Sequence, residues 1–155
     1  MPQLGFATPL GFLTLVEKDD FLTQSAWGAA AEAPASVLGT ALLHRAKGQI
    51  LDYLAGRLRA FDLPLAPAGS VYQRRLWRAL QEIPFGETRS YGMIAHQLDS
   101  GPRAVGQACG RNPLPLLVPC HRVLAAGGKL GGYSGGNGLA TKRHLLQLEG
   151  VCCFT

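Results

Sequence analysis

The sequence predicts an α+β fold: a small N-terminal antiparallel sheet with one long helix, then a mostly helical C-terminal part that holds a helix-turn-helix. Three observations predict it. Residues 3–27 read as short strands with a tight turn. Residues 36–61 keep helical spacing. Beyond residue 69, short helical patterns follow one another, opened by Ser or Pro and punctuated by Gly.

In order along the chain, Phe12, Thr14 and Val16 alternate with Leu13 and Leu15, which gives both faces of a strand apolar content. Asp19-Asp20 supplies a turn before Phe21-Leu22-Thr23. Residues 28–35, rich in Ala, Gly and Pro, read as a connection. Ser36 can cap a helix reaching about Phe61, with Leu43, Ile50, Leu51, Leu54, Leu58 and Phe61 on its apolar stripe. Residues 62–69 contain two prolines and read as a linker, so the domain boundary falls near residue 69, giving domains 1–69 and 70–155.

In the second domain Ser70 caps a helix that turns Val71, Leu76, Trp77, Leu80 and Ile83 inward and ends at Pro84-Phe85-Gly86. Ser90 caps a second helix over Tyr91–Leu98. After the turn Asp99-Ser100-Gly101, Pro102 opens a third that runs to about Gly110. Two short helices across a Gly-containing turn form a helix-turn-helix pattern. Ala104, Gly106, Ala108 and Gly110 would let the third helix approach another surface closely, but taken alone these small residues fit tight packing against a neighbouring helix better. Residues 127–138 hold seven glycines and form a loop, and the last helix covers about Leu139–Glu149.

Composition narrows the function classes. The chain is 47% hydrophobic and 16% charged, which excludes general disorder. Pro, Gly, Arg or Asp interrupts every apolar run, so no membrane span is expected, and no basic residue precedes an apolar stretch at the N-terminus as a secretory signal requires. The four cysteines all lie at or beyond Cys109, which suits a reducing, cytoplasmic setting better than a disulfide scaffold. Residues 1–69 carry five basic and six acidic side chains; residues 70–155 carry ten and four, giving that half a net +6. Such a half suits a polyanionic partner, nucleic acid above all, as well as it suits a merely basic surface.

The chemistry centres on Pro119-Cys120-His121-Arg122-Val123, behind the apolar Leu116-Leu117-Val118. A cysteine attacks as thiolate and needs a neighbouring base or cation to form it at neutral pH. His121 offers the base, Arg122 adds positive potential, and Glu149 is a candidate to orient the imidazole. Taken alone, the same residues also fit a buried cysteine beside a structural histidine. No short-spaced ligand pairs support a metal site: a helix end and several prolines separate Cys109 from Cys120. The Gly-rich loop lacks the lysine–hydroxyl pair of a phosphate-binding motif.

The string RAVGQACGRNPLPLLVPCHRV, followed by GGYSGG and LLQLEG, closely resembles the O6-alkylguanine-DNA alkyltransferases (methylated-DNA–protein-cysteine methyltransferases). The stretch VYQRRLWRALQEIPFGETRSYGMIA resembles the helix pair that precedes their active site, and the likeness covers about residues 70–150. The resemblance implies suicidal transfer of an alkyl group from O6-alkylguanine in duplex DNA to Cys120, after the base is flipped out through the minor groove. O4-alkylthymine is a further substrate candidate. It implies that His121, through a water, is the base, that Glu149 holds His121, and that Asn112 braces the hinge before the cysteine. Arg103 resembles the arginine that fills the emptied stack. Tyr91 resembles the tyrosine that crowds the phosphate and donates a hydrogen bond to the base. Ala104 and Gly106 would face DNA with Arg103. Tyr133, Ser134, Val123 and Pro115 would form the substrate pocket, with backbone around Cys120 and Val123 accepting from the exocyclic amine. It implies no cofactor, and the N-terminal part has no cysteine and only His44, so no zinc is expected. The expected partner is double-stranded DNA bound by a monomer able to cluster along it. A non-catalytic lesion sensor and a helix-turn-helix regulator are the alternative classes.

Overall fold

A computed structural model describes residues 2–27, 40–133, 136–152 and 154–155. Two compact units divide the chain, Met1–Ala68 and Gly69–Thr155.

The first unit is a three-stranded antiparallel sheet in the order β1 (Gln3–Thr8), β2 (Gly11–Lys18), β3 (Phe21–Trp27), with α1 (Ala41–Leu54) packed against β1 and β2. The β2–β3 turn follows from Asp19 and Asp20, both at positive φ (53° and 68°); this is the two-residue hairpin geometry that matches strand twist. A register shift between Val16 and Glu17 departs from simple alternation, and Leu13 through Glu17 are all buried. Phe6, Leu13, Leu15, Leu22, Leu43, Ala46, Ile50 and Tyr53 form the core.

Three expectations for this unit need correction. The helix is capped by Thr40, whose hydroxyl accepts from Leu43 N, and the expected cap, Ser36, lies outside the described residues, as does the connection at 28–35. The helix ends at Leu54 rather than near Phe61, because Gly56 takes the left-handed conformation (φ 79°) that terminates helices. Phe61 still packs on Tyr53, with ring centroids 5.2 Å apart, so its helical spacing reflected a shared core and not a shared helix. Nor is the proline-containing segment merely a linker: Leu65 bridges Leu22, with Leu22 N donating to Pro64 O (2.9 Å) and Ala66 N to Leu22 O (2.9 Å).

The second unit strings together α2 (Val71–Gln81), β4 (Arg89–Ser90), α3 (Tyr91–Gln97), α4 (Pro102–Gly110), a 3-10 turn (Cys120–Arg122), β5 (Val123–Leu124) and α5 (Leu139–Leu148). Ser70 and Gln73 form a reciprocal capping box on α2, a device worth about 1 kcal/mol. Leu76, Trp77, Leu80 and Ile83 point inward as their spacing requires, but Val71 is 67% exposed. As the first helical residue after the cap, it lies outside the buried stripe. Ser90 caps α3 through Met93 N, and Pro102 occupies the first turn of α4. The α3–α4 pair packs together across Asp99 (φ 54°), and α4 also touches α2. Two-residue β4 runs parallel to β5, so the start of α3 lies beside the residues that follow the 3-10 turn. Leu124, Leu130 and Leu146 form a second small core, covered by Val151 and Phe154. No helix among the described residues is long and apolar enough to cross a membrane.

Candidate active site

The approach to Cys120 is a buried turn: Leu116 sits at φ 79°, Val118 N donates back to Leu114 O (2.8 Å), and Leu114, Leu116, Leu117, Val118 and Pro119 are all in the core. Asn112 fixes its course. Its Nδ2 donates to Val118 O (2.9 Å) and its Oδ1 accepts from Leu114 N (2.9 Å). One side chain thus ties the end of α4 to the buried turn before the cysteine, and its hydrogen bond to Cys120 favours the thiolate.

Cys120, 8% exposed, lines a cavity of about 490 Å³ with Tyr91, Gly106, Cys109, Gly110, Gly132 and Tyr133. That volume falls within the usual range of small-ligand sites. A Cβ built on Gly106, Gly110 or Gly132 would meet nothing within 4 Å, so these glycines leave the cavity wall open. Gly131 is constrained differently. It sits at φ 70°, and a Cβ there would lie 2.9 Å from Tyr91 Cε2. A larger residue would therefore displace the tyrosine ring.

Behind the cysteine, His121 is fully buried and its Nε2 lies 2.8 Å from Glu149 Oε2. Glu149 caps the C-terminal end of α5. Arg122 grips the same carboxylate with two nitrogens, Nε on Oε1 (2.9 Å) and Nη2 on Oε2 (3.0 Å), and its Nη1 donates to Ile83 O (2.7 Å). Gly86 N adds a fourth donor to Glu149 (3.1 Å). A carboxylate held this way accepts the imidazole's proton-bearing nitrogen, which puts the proton on Nε2. Nδ1 is then the lone-pair nitrogen, and it has no hydrogen-bond partner among the described residues. Burial holds the His121 pKa below its ordinary value of 6.5 against the pull of Glu149, so the ring is neutral at neutral pH and able to take a proton.

Burial pushes the Cys120 thiol up, and the Asn112 hydrogen bond and the Lys142 charge oppose that shift. Lys142 is the functional residue that sequence reasoning missed. It is fully buried, its ammonium donating to the carbonyls of Val123 (2.7 Å), Leu130 and Gly132 (3.2 Å), and it sits 5.8 Å from the Tyr91 ring centre. Burial lowers its pKa to about 8, while Cys120 and Cys109 pull it back up. The signal was in the sequence: Lys142 shares the face of Leu145, Leu146 and Glu149 at spacings of three, four and seven, a cation inside an apolar stripe. Arg122, read as a source of positive potential, serves here as the clamp on Glu149.

The other expected site residues are distributed unevenly. Tyr91 and Tyr133 line the cavity with Cys120, and Gly106 does so from α4. Burial, with smaller contributions from Cys109 and Cys120, raises the Tyr91 pKa, keeping the phenol protonated as a donor. Arg103 is exposed on the first turn of α4, next to half-buried Ala104. Val123 and Pro115 are not among the lining residues; Val123 is buried in β5, with its carbonyl taken by Lys142. Ser134 lies outside the described residues. Cys109, set apart from Cys120 by three prolines in sequence, reaches the same cavity. Among the described residues no three His, Cys, Asp or Glu side chains cluster as a metal site would need.

Residues 71–151 match the family model for the DNA-binding domain of 6-O-methylguanine DNA methyltransferase. The methylated-DNA–protein-cysteine methyltransferase of Mycolicibacterium paratuberculosis is 47% identical over 92% of this chain and 88% of its own length. The constitutive enzyme of Bacillus subtilis is 41% identical over 93% and 92%. The crystal structure of Mycobacterium tuberculosis OGT in complex with DNA superimposes with a TM-score of 0.83 at 40% identity, covering 96% of this chain and 92% of that one. On the family model over residues 71–151, these relatives and the shared fold, the chain belongs to the methylated-DNA–protein-cysteine methyltransferase family.

Proposed function

We propose that this protein repairs O6-alkylguanine in double-stranded DNA by a single irreversible transfer of the alkyl group to Cys120. The observation that carries the reading is a cysteine in the wall of a small-molecule-sized cavity, with a neutral imidazole locked behind it by a buried carboxylate. Residues 70–155 act as the DNA-binding and alkyl-transfer domain.

The alkyl carbon of O6-alkylguanine is out of reach inside a duplex, so the nucleotide rotates into the cavity. Arg103, exposed at the start of α4, fills the space left in the stack, and Ala104 and Gly106 allow the helix to approach the minor groove closely. Tyr91 crowds the phosphate as the base turns. Tyr133, in the cavity wall, flanks the flipped base. His121 Nδ1 takes the Cys120 proton through a bridging water, with Glu149 stabilising the cation that forms. The thiolate then displaces guanine at the alkyl carbon while Tyr91 supplies a proton to the leaving base. The product is a thioether, and none of the described residues around it is suited to reverse it, so each molecule acts once. The alkyl group comes from the substrate, and the chemistry needs no cofactor.

Intact-mass measurement after mixing with duplex DNA containing O6-methylguanine tests this directly. A gain of one methylene unit, mapped to Cys120 and stopping at one per molecule, is the expected result. Tight lesion binding with no gain in mass would make the protein a sensor instead.

A further inference from the structure

Two thiols, not one, open onto the cavity. Cys109 is on the last turn of α4 and Cys120 opens the 3-10 turn, and both are free in this structure. Asn112 stitches their segments together, its backbone N–H donating to Cys109 O (3.2 Å) and its side chain to Val118 O and the Cys120 thiol group. The charge of Cys120 bears on the ionisation of Cys109, and the Lys142 ammonium acts on both. This is the environment of a reactive thiol with a resolving partner: a cation beside it, a route in for a small oxidant, and a second cysteine across the same space.

We propose that Cys109 is a resolving cysteine, forming a reversible disulfide with Cys120 when the protein meets hydrogen peroxide. The Cys120 thiolate attacks one peroxide oxygen; the S–O bond forms, the O–O bond breaks, and hydroxide leaves to become water. Cys109, having given up its proton, then attacks the Cys120 sulfur; the S–S bond forms and the S–O bond breaks. The departing hydroxide takes that proton as a second water. The sum is two thiols and one peroxide giving a disulfide and two waters. Burial raises both thiols, Cys109 to about 12, but the Asn112 hydrogen bond favours the thiolate at Cys120 alone, so Cys120 makes the first attack. Without a partner, the sulfenic acid on Cys120 would go on to the sulfinic acid, which thiols cannot reduce. The pair thus holds the nucleophile in a recoverable state. That the disulfide silences repair rests on the reading of Cys120 as alkyl acceptor; the disulfide itself does not.

Trypsin makes the test clean, because cleavage after Arg103, Arg111 and Arg122 puts Cys109 and Cys120 on separate peptides, 104–111 and 112–122. The full-length protein is treated with graded hydrogen peroxide, blocked with iodoacetamide and digested. The expected result is a cross-linked 104–111/112–122 peptide, an intact mass lower by two hydrogen atoms, and full return of both free thiols with dithiothreitol. In Cys109→Ala and Cys109→Ser variants, the same treatment should drive Cys120 to sulfinic acid, with loss of thiol that dithiothreitol does not restore. Two variants guard against one failing to fold. Cys120 oxidised to sulfinic acid in the unaltered protein while Cys109 stays open to iodoacetamide would overturn the proposal. So would a cross-link from Cys120 to peptide 144–155, which carries Cys152 and Cys153. Methyl transfer by the reduced protein, run alongside, separates the outcomes: its absence removes the repair reading and leaves the peptide map to judge the disulfide.

Discussion

A carboxylate offers about four acceptor positions on its two oxygens, and Glu149 fills four with His121, two Arg122 nitrogens and Gly86 N–H. Glu149→Gln replaces acceptors by donors facing an arginine that stays charged. Single-turnover methyl transfer should fall by about 100-fold or more, and urea unfolding should show a loss of about 3–5 kcal/mol from the unpaired buried guanidinium. His121 sets the acid side of the reaction. Its depressed pKa keeps the base neutral at pH values where an ordinary histidine is protonated, so the acid limb of the transfer-rate profile should lie below 6.5. Stability follows the same group: below 6.5 the unfolded chain binds a proton that the native ring refuses, so the unfolding free energy falls as pH drops through that window. A His121→Gln variant should flatten the slope. Lys142→Met removes a cation that favours the thiolate, and the midpoint of Cys120 alkylation by iodoacetamide should move to higher pH, by about one unit, or ten-fold in rate at fixed pH. The His121–Glu149 pairing was foreseen in the sequence, with Glu149 as one candidate on chemical grounds and as the partner of His121 through the family resemblance. Lys142 was not, because a lysine read by composition counts as surface charge, and only its position on the buried stripe of α5 says otherwise.

At the scale of the element, α4 was read correctly from Pro102 to Gly110, since proline at the start and glycine at the end are strong local signals. The end of α1 was misread for the opposite reason. Leu58 and Phe61 continue the helical spacing although the backbone has already turned at Gly56, and a hydrophobic pattern reports burial before it reports helix. The small residues of α4 are where stability and function diverge. A Cβ at Gly106 meets nothing within 4 Å, so Gly106→Ala should stabilise the isolated protein by up to about 1 kcal/mol. The same methyl group stands on the surface proposed to meet DNA and on the cavity wall. Thermal denaturation should therefore rise while methyl transfer from duplex DNA falls. A parallel rise in both would place the DNA elsewhere than on α4.

For the whole molecule, the charge read from sequence overstates what a partner meets. Of the ten basic residues beyond position 69, Arg122 and Lys142 are buried, and Arg122 is neutralised by Glu149. Eight basic residues against three acids remain outside that core. The asymmetry between the two units survives, and transfer rates at sub-saturating DNA should fall steeply and linearly on a logarithmic salt axis. A flat response would argue against phosphate contacts as the source of affinity. In the sequence the pattern and the charge balance change near residue 69, and contacts within the chain cluster on either side of Ala68 and Gly69. The pairing of Leu65 with Leu22 was not legible, because two prolines mask a strand-like edge.

The carboxylate at the end of α5 also bears on the order in which the second unit assembles. Its partners Gly86, His121 and Arg122 lie 63, 28 and 27 residues away along the chain. Contacts of such separation form only after the intervening chain has been brought together, so the network closes late on the folding route. Substitutions at Glu149 should then steepen the approach to the unfolded state and spare the outward journey: in a chevron plot the unfolding arm rises while the refolding arm stays near its original position. The protein would reach its shape first and acquire its reactive centre last.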